Sequence, residues 1–263
     1  MKNNLYSPLI PVAFNLEQRI INLLMFRANF LKDTGLLSGK MGIVLFFASY
    51  HRLCLESIYE TIADELMEQV IEAVHKELPI GLGSGLSGIG WGIEFLIQNG
   101  LLEGNSVEIC EEIDRKIMER DPRRITDFSL ETGLEGILHY VLAHINGTIK
   151  EHLAMPFDKT YLFDLYSTLN SLSGKEGMNE DLVHLIDEYI QFYEGRKSIS
   201  YKPAITSFIG LLDVDEKKIT TYPIGIKDGL SGFLFKSFIE RMDMNILTDR
   251  GVVQHIAQNK LVI

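Results

Sequence analysis

The sequence is poor in what several broad protein classes require. Its 263 residues include 2 cysteines, Cys54 and Cys110, which is too few for a disulfide framework. No apolar run approaches the ~20 residues that cross a bilayer. The opening segment MKNNLYSPLIPVAF has one Lys and no unbroken apolar core, a poor match to a signal peptide. A cytoplasmic protein without a membrane span is therefore expected. Positive charge is scarce: 25 Lys and Arg against 36 Asp and Glu give a net charge of −11, with no basic cluster. Phosphate backbones are bound by clustered cations that release counterions, so no nucleic-acid partner is expected. Runs of alternating apolar and polar residues are missing as well, which argues against a sheet of any size.

What the chain does have is 22 glycines, many of them in one repeating pattern. GLGSGLSGIGWGI contains Gly83, Gly85 and Gly88, a literal G-x-G-x-x-G. A dinucleotide loop of that form must follow a strand. The segment before it, SIYETIADELMEQVIEAVHKEL, instead carries Ile58, Ile62, Leu66, Val70 and Val74 at four-residue intervals. That is the stripe of an amphipathic helix, expected over 57–78 with a Ser57/Glu60 capping box.

The same spacing, G-x3-G-x2-G, recurs at Gly35/Gly39/Gly42, Gly81/Gly85/Gly88 and Gly225/Gly229/Gly232. A fourth copy has Gly133 and Gly136, with Ser129 in the first place. The last glycines lie 46, 48 and 96 residues apart, the longest gap being two periods. SLSGKEGM, with Gly174 and Gly177, is a candidate for a damaged copy between them. After each clear copy comes a helix that is apolar nearly all round, and so buried. An amphipathic outer helix follows, as at 57–78, 106–119 and 158–171. Asn99-Gly100 and Asn146-Gly147 read as left-handed caps that end two inner helices. Ser38, Ser84, Thr132 and Asp228 precede the second glycine of each copy and are good N-cap residues. The recurring glycines imply close approach of neighbouring inner helices.

Four such loops in phase resemble the lanthionine synthetase C-like proteins, from Gly35 to about Met242. The resemblance implies an all-α fold, an α/α toroid of inner and outer helices, over a single domain spanning 1–263. It also implies work on ribosomally made peptides. Full members have seven hairpins and close thioether rings, using a zinc ion held by two cysteines and a histidine. Zinc keeps a thiolate ready at neutral pH, so that donor set suits the chemistry. This chain has only four to five hairpins and no Cys-His or Trp-Cys pair, so an incomplete toroid with no metal site and no cofactor is expected.

The candidate functional residues are few. Ser38, Ser84, Thr132 and Asp228 would ring the mouth where the inner-helix N-termini gather, a place that favours an anionic or hydrogen-bond-accepting ligand. Trp91, the only Trp, and Glu94 lie near an inner-helix start, placed to line a ligand pocket. His139, three residues after Gly136, does not share a face with His144 and is the histidine placed to face a central cavity, a candidate catalytic residue beside a simpler reading as a hydrogen-bonded core histidine. Glu131 and Asp228 are candidate acid/base carboxylates of the kind (α/α) barrels use on glycosidic bonds, with helix-end roles as the simpler reading. Glu108, Glu111, Glu112 and Asp114 read as a solvated helix face. The implied partners are a peptide, a peptide-modifying enzyme, or a second copy covering the open ends of a short solenoid. Three functions stay open: a zinc-free peptide-binding or accessory subunit, a metal-independent enzyme, and a scaffold completed by a partner.

Overall fold

The computed structural model describes residues 15–175 and 177–246. The opening segment read above for a signal peptide, and both ends of the 1–263 span, lie outside them. The helices are α1 (Leu16–Ala28), α2 (Lys40–Cys54), α3 (Ser57–Val74), α4 (Leu86–Gln98) and α5 (Ser106–Ile109). They continue with α6 (Glu111–Met118), α7 (Leu134–Lys150), α8 (Lys159–Leu172), α9 (Glu180–Tyr193) and α10 (Leu230–Ile246). Among the described residues there is no strand, and none of the helices is long and apolar enough to cross a membrane.

The all-apolar segments form the inner layer, in the order α10, α2, α4, α7, each packed on the next. Outside them, α3 lies on α2, α5 and α6 on α4 and α7, and α9 on α7 with α8 behind it. Helix α1 packs on α10 and α2. This is the α/α arrangement the repeats predict, with four inner helices. Gly174 and Gly177 make only the turn between α8 and α9, both at positive φ with nothing packed against them.

Several local expectations change. Residues 106–119 are two helices broken at Cys110. Helix α7 runs through Asn146-Gly147, and Gly147 lies against the Glu94 carboxylate instead of ending the helix. At α3 the N-cap is Glu56, with no side-chain cap, so no capping box forms.

The loop side chains do not cap the inner helices either. Their N-caps are Gly39, Gly85 and Gly133, and none has a side-chain cap bond. The first-turn N–H groups are satisfied by main chain instead. Lys40, Leu86, Leu134 and Leu230 each donate to the carbonyl seven residues upstream, on Asp33, Pro79, Asp127 and Pro223. The loop must therefore fold back over its own helix start. Each last glycine lies under a carbonyl six residues upstream: Gly42 under Leu36, Gly88 under Leu82, Gly136 under Leu130, Gly232 under Ile226. A Cβ on any of them would meet that oxygen inside the 3.0 Å that real side-chain carbons keep. Close approach of inner helices is the reason elsewhere: Gly90 faces the Tyr140 ring on α7 and Gly92 faces Met41 on α2.

Candidate functional site

The four motif loops are joined in a ring. Gly83 N–H donates to Glu131 O, Leu37 N–H to Gly83 O, and Ile226 N–H to Leu37 O, at 2.8–3.0 Å. Three first glycines sit at these joints: Gly35 against Ser84, Gly81 against Thr132, and Gly225 against Ser38. The remaining joint, between the third and fourth loops, is the one where Ser129 replaces glycine. There the contact is a side-chain ion pair, Lys227 to Glu131. Both partners are 39–52% exposed, and such pairs contribute about 0–1 kcal/mol. Lys227→Ala is accordingly expected to shift the unfolding free energy by less than about 1 kcal/mol, read by chemical denaturation.

Ser38, Ser84, Thr132 and Asp228 all stand exposed on this ring. Ser84 Oγ donates to Asp33 Oδ2 at 2.7 Å, and Thr132 Oγ1 to Asp127 Oδ2 at 2.5 Å. The helix-start N–H groups proposed for an anion are already bonded to loop carbonyls, and carboxylates stand beside them. The mouth is not built for an anion. Asp33 was missed from sequence, although it and Asp127 both precede the first motif position by two residues, where the other copies have Pro79 and Pro223. The hydroxyls of Ser87 and Ser231, in the first turns of α4 and α10, are buried without a hydrogen-bond partner among the described residues.

Trp91 and His139 belong to a different place, the inner face of the barrel. Trp91 is fully buried, and its Nε1–H donates to Tyr201 Oη at 2.8 Å. Tyr201 Oη also lies 2.8 Å from His139 Nδ1. Phe208 packs edge-on against both Trp91 and His139, at 4.8 and 5.1 Å between ring centres. Burial pushes the His139 pKa down to about 4, so the imidazole is neutral. The segment 199–208, between α9 and α10, thus fills the inner face and gives the barrel a cover from its own chain. Neither Glu131 nor Asp228 joins His139 in this cluster.

Glu94 faces elsewhere again, into the α4–α6–α7 junction. Its Oε1 is 2.6 Å from His144 Nδ1, and His144 Nε2 is 3.0 Å from Asp114 Oδ2. Tyr140 Oη donates to Asp114 Oδ1 at 2.5 Å, and Gln98 Nε2 to Glu94 Oε2 at 2.7 Å. Burial lowers the His144 pKa, but the bonds to Asp114 and Glu94 outweigh it and hold it at about 9. His144 is therefore a buried cation between two carboxylates. Asp114 does not belong to a solvated face. It lies with Cys110, Ile113 and Ile117 on the buried side, a spacing of i, i+3, i+4, i+7 that was open to reading.

The zinc ion implied by the resemblance does not fit these residues. Cys54 lies at the C-terminal end of α2, away from the loops. Cys110 is wholly buried, and burial pushes its thiol pKa well up. His144 uses both ring nitrogens on carboxylates. Among the described residues no group of three or more His, Cys, Asp or Glu could hold a metal ion.

One open cleft lies at the other end of the barrel. It has a volume of about 530 Å³ and an apolar floor that includes Leu53, Phe95, Ile205 and Phe235, with Ser49, Arg52 and Asn99 also lining it. A second groove of about 500 Å³ runs beside Thr132, Pro79, Arg120 and Arg124.

No curated protein and no solved structure matched the chain. The family model for lanthionine synthetase C-like protein matches residues 31–207, a span that holds three of the four glycine loops, α2 to α9 and the segment over the inner face as far as Ser207. With that match on most of its length, the chain belongs to the lanthionine synthetase C-like protein family.

Proposed function

We propose that the chain serves ribosomal-peptide maturation as a peptide-binding subunit, working without a zinc ion of its own and beside the enzyme that modifies the peptide. The cleft at the C-terminal ends of the inner helices carries this reading. An apolar floor with a few polar groups is the usual form of a site that holds a side chain and fixes its orientation. Phe95, Phe235 and Phe238 supply the floor, and Arg52 and Asn99 can meet a peptide main chain. The donor set favours binding over ring closure, because His51, three residues before Cys54, has its ring nitrogens against Glu56 O and Glu60, and His144 has both of its own on carboxylates.

The test mixes the protein with a peptide carrying cysteine and dehydrated residues, with zinc added. Binding is followed by anisotropy and thiol loss by alkylation and mass spectrometry. Saturable binding with thiols lost only at the uncatalysed rate is expected. Accelerated thiol loss would overturn the zinc-free reading. Leu53→Arg, which places a charge in the cleft floor, is expected to weaken binding about tenfold. Unchanged affinity would move the site elsewhere.

A further inference from the structure

The segment 199–208 is bound to the barrel in the way a peptide is bound. Its side chains alternate in burial: Ile199, Pro203 and Ile205 are buried and Tyr201 is half-buried, while Ser200, Lys202, Ala204 and Thr206 face out. That period of two belongs to an extended chain docked on one face over 199–204, and Ile205–Phe208 then form a 3-10 turn. No strand pairs with it among the described residues. Side chains hold its main chain instead. Glu188 Oε1 accepts from the N–H of Ser200 and of Tyr201, at 2.5 and 2.6 Å. Asn146 Nδ2 donates to Tyr201 O at 2.5 Å.

The Tyr201 hydroxyl has a defined role. Trp91 Nε1–H can only donate, so it donates to Tyr201 Oη, and the same hydroxyl pairs with His139 Nδ1. Phe208, seven residues on, closes the same pocket against Trp91 and His139. The flanks at 193–198 are exposed, and Pro203–Thr206 border the open cleft of about 530 Å³. The segment can therefore leave without unwinding any of the α-helices described.

From this geometry we infer that Trp91, His139, Asn146 and Glu188 form a peptide groove, and that 199–208 is its resident occupant, which a peptide of the same chemistry displaces. The ligand class is a peptide extended around a tyrosine and closing in a 3-10 turn that carries a second aromatic residue seven positions later. The inference rests on the peptide-binding reading and extends its site, since the groove adjoins the cleft through Pro203–Thr206. Tyrosine is preferred over phenylalanine, because a phenyl ring would leave Trp91 Nε1 and His139 Nδ1 buried without partners.

Trp91 is the only tryptophan, so its emission reports the groove directly. In the full chain carrying Tyr201→Ala and Phe208→Ala, the anchors are gone and Trp91 is expected to emit to the red of wild type. Adding the synthetic peptide ISYKPAITSF should restore the blue-shifted emission saturably. The same peptide with Phe for Tyr should bind at least about tenfold more weakly, and with Ala at both aromatic positions it should not bind. A folded double variant whose Trp91 ignores the peptide would overturn the groove, and so would equal binding of the Phe peptide. Should the double variant fail to fold, hydrogen exchange on wild type decides. Amides of 199–208 exchanging much faster than those of α4 and α7 support a displaceable occupant, and equal protection makes the segment permanent core. A maturation peptide that binds without changing Trp91 emission would refute this groove and leave the peptide-binding role standing.

Discussion

Replacing His144 with leucine is expected to lower the unfolding free energy by about 3–5 kcal/mol, the usual cost of breaking a buried ion pair by removing one partner. Leucine fills the space but leaves Glu94 and Asp114 facing each other in a dry junction. The loss arises mainly from two carboxylates without their cation, and it should appear in chemical denaturation at neutral pH. Glu94→Gln, which keeps a hydrogen-bond partner for Nδ1, should cost clearly less. Equal losses would mean that shape rather than charge holds α4, α6 and α7 together.

The same junction sets the alkaline side of a pH profile, and His139 sets the acid side. The folded-state pKa of His144 is raised from 6.5 to about 9. Its stabilisation is therefore fully present below pH 6.5 and is lost as pH rises through about 9. The folded-state pKa of His139 is lowered from 6.5 to about 4. Its stabilisation is present above pH 6.5 and is lost as pH falls toward about 4. Each distance corresponds to roughly 3 kcal/mol as an upper bound. Stability should thus peak near neutrality and fall on both sides. In His144→Leu the alkaline fall should begin at lower pH. Burial already pushes the Asp114 carboxyl up, and the variant lacks the cation that opposes it.

Gly232→Ala is the second large effect expected. An alanine in an exposed helical turn usually stabilises by about 1 kcal/mol over glycine. Here the added methyl meets the Ile226 carbonyl from the folded-back loop, so the sign reverses and a loss of at least about 1–3 kcal/mol is expected. Gly88→Ala, under Leu82 O, should behave alike. Ser129→Gly is the control, since the joint it would serve is made by Lys227 and Glu131. It should stay within about 0.5 kcal/mol of wild type. Thermal denaturation of the three variants separates loop strain from loss of helix propensity.

The barrel was legible because its determinants are local and repeated. Fixed glycine spacing followed by helices without a polar face gives both layers and their order. The missing glycine at position 129 even marks the joint that has no main-chain bond. The reason for the glycines was read less well, since a loop folding back over its own helix start has no signature beyond small residues. Ser38, Ser84, Thr132 and Asp228 therefore looked like caps when carbonyls at Asp33, Pro79, Asp127 and Pro223 do that work. The inner face was the least legible. Trp91 and His139 were visible singly, but Tyr201, Phe208, Asn146 and Glu188 come from separate segments and meet only through the fold. The alternation in ISYKPAIT was a signal too short to separate from a loop.

Closing the helix starts with main chain alone has a consequence for the outward tips of the ring. Because no tip side chain is needed to hold a helix end, those four positions can be exchanged for almost any hydrophilic residue. One end of the molecule is thereby a surface on which new contacts can be written while the framework beneath stays as it is.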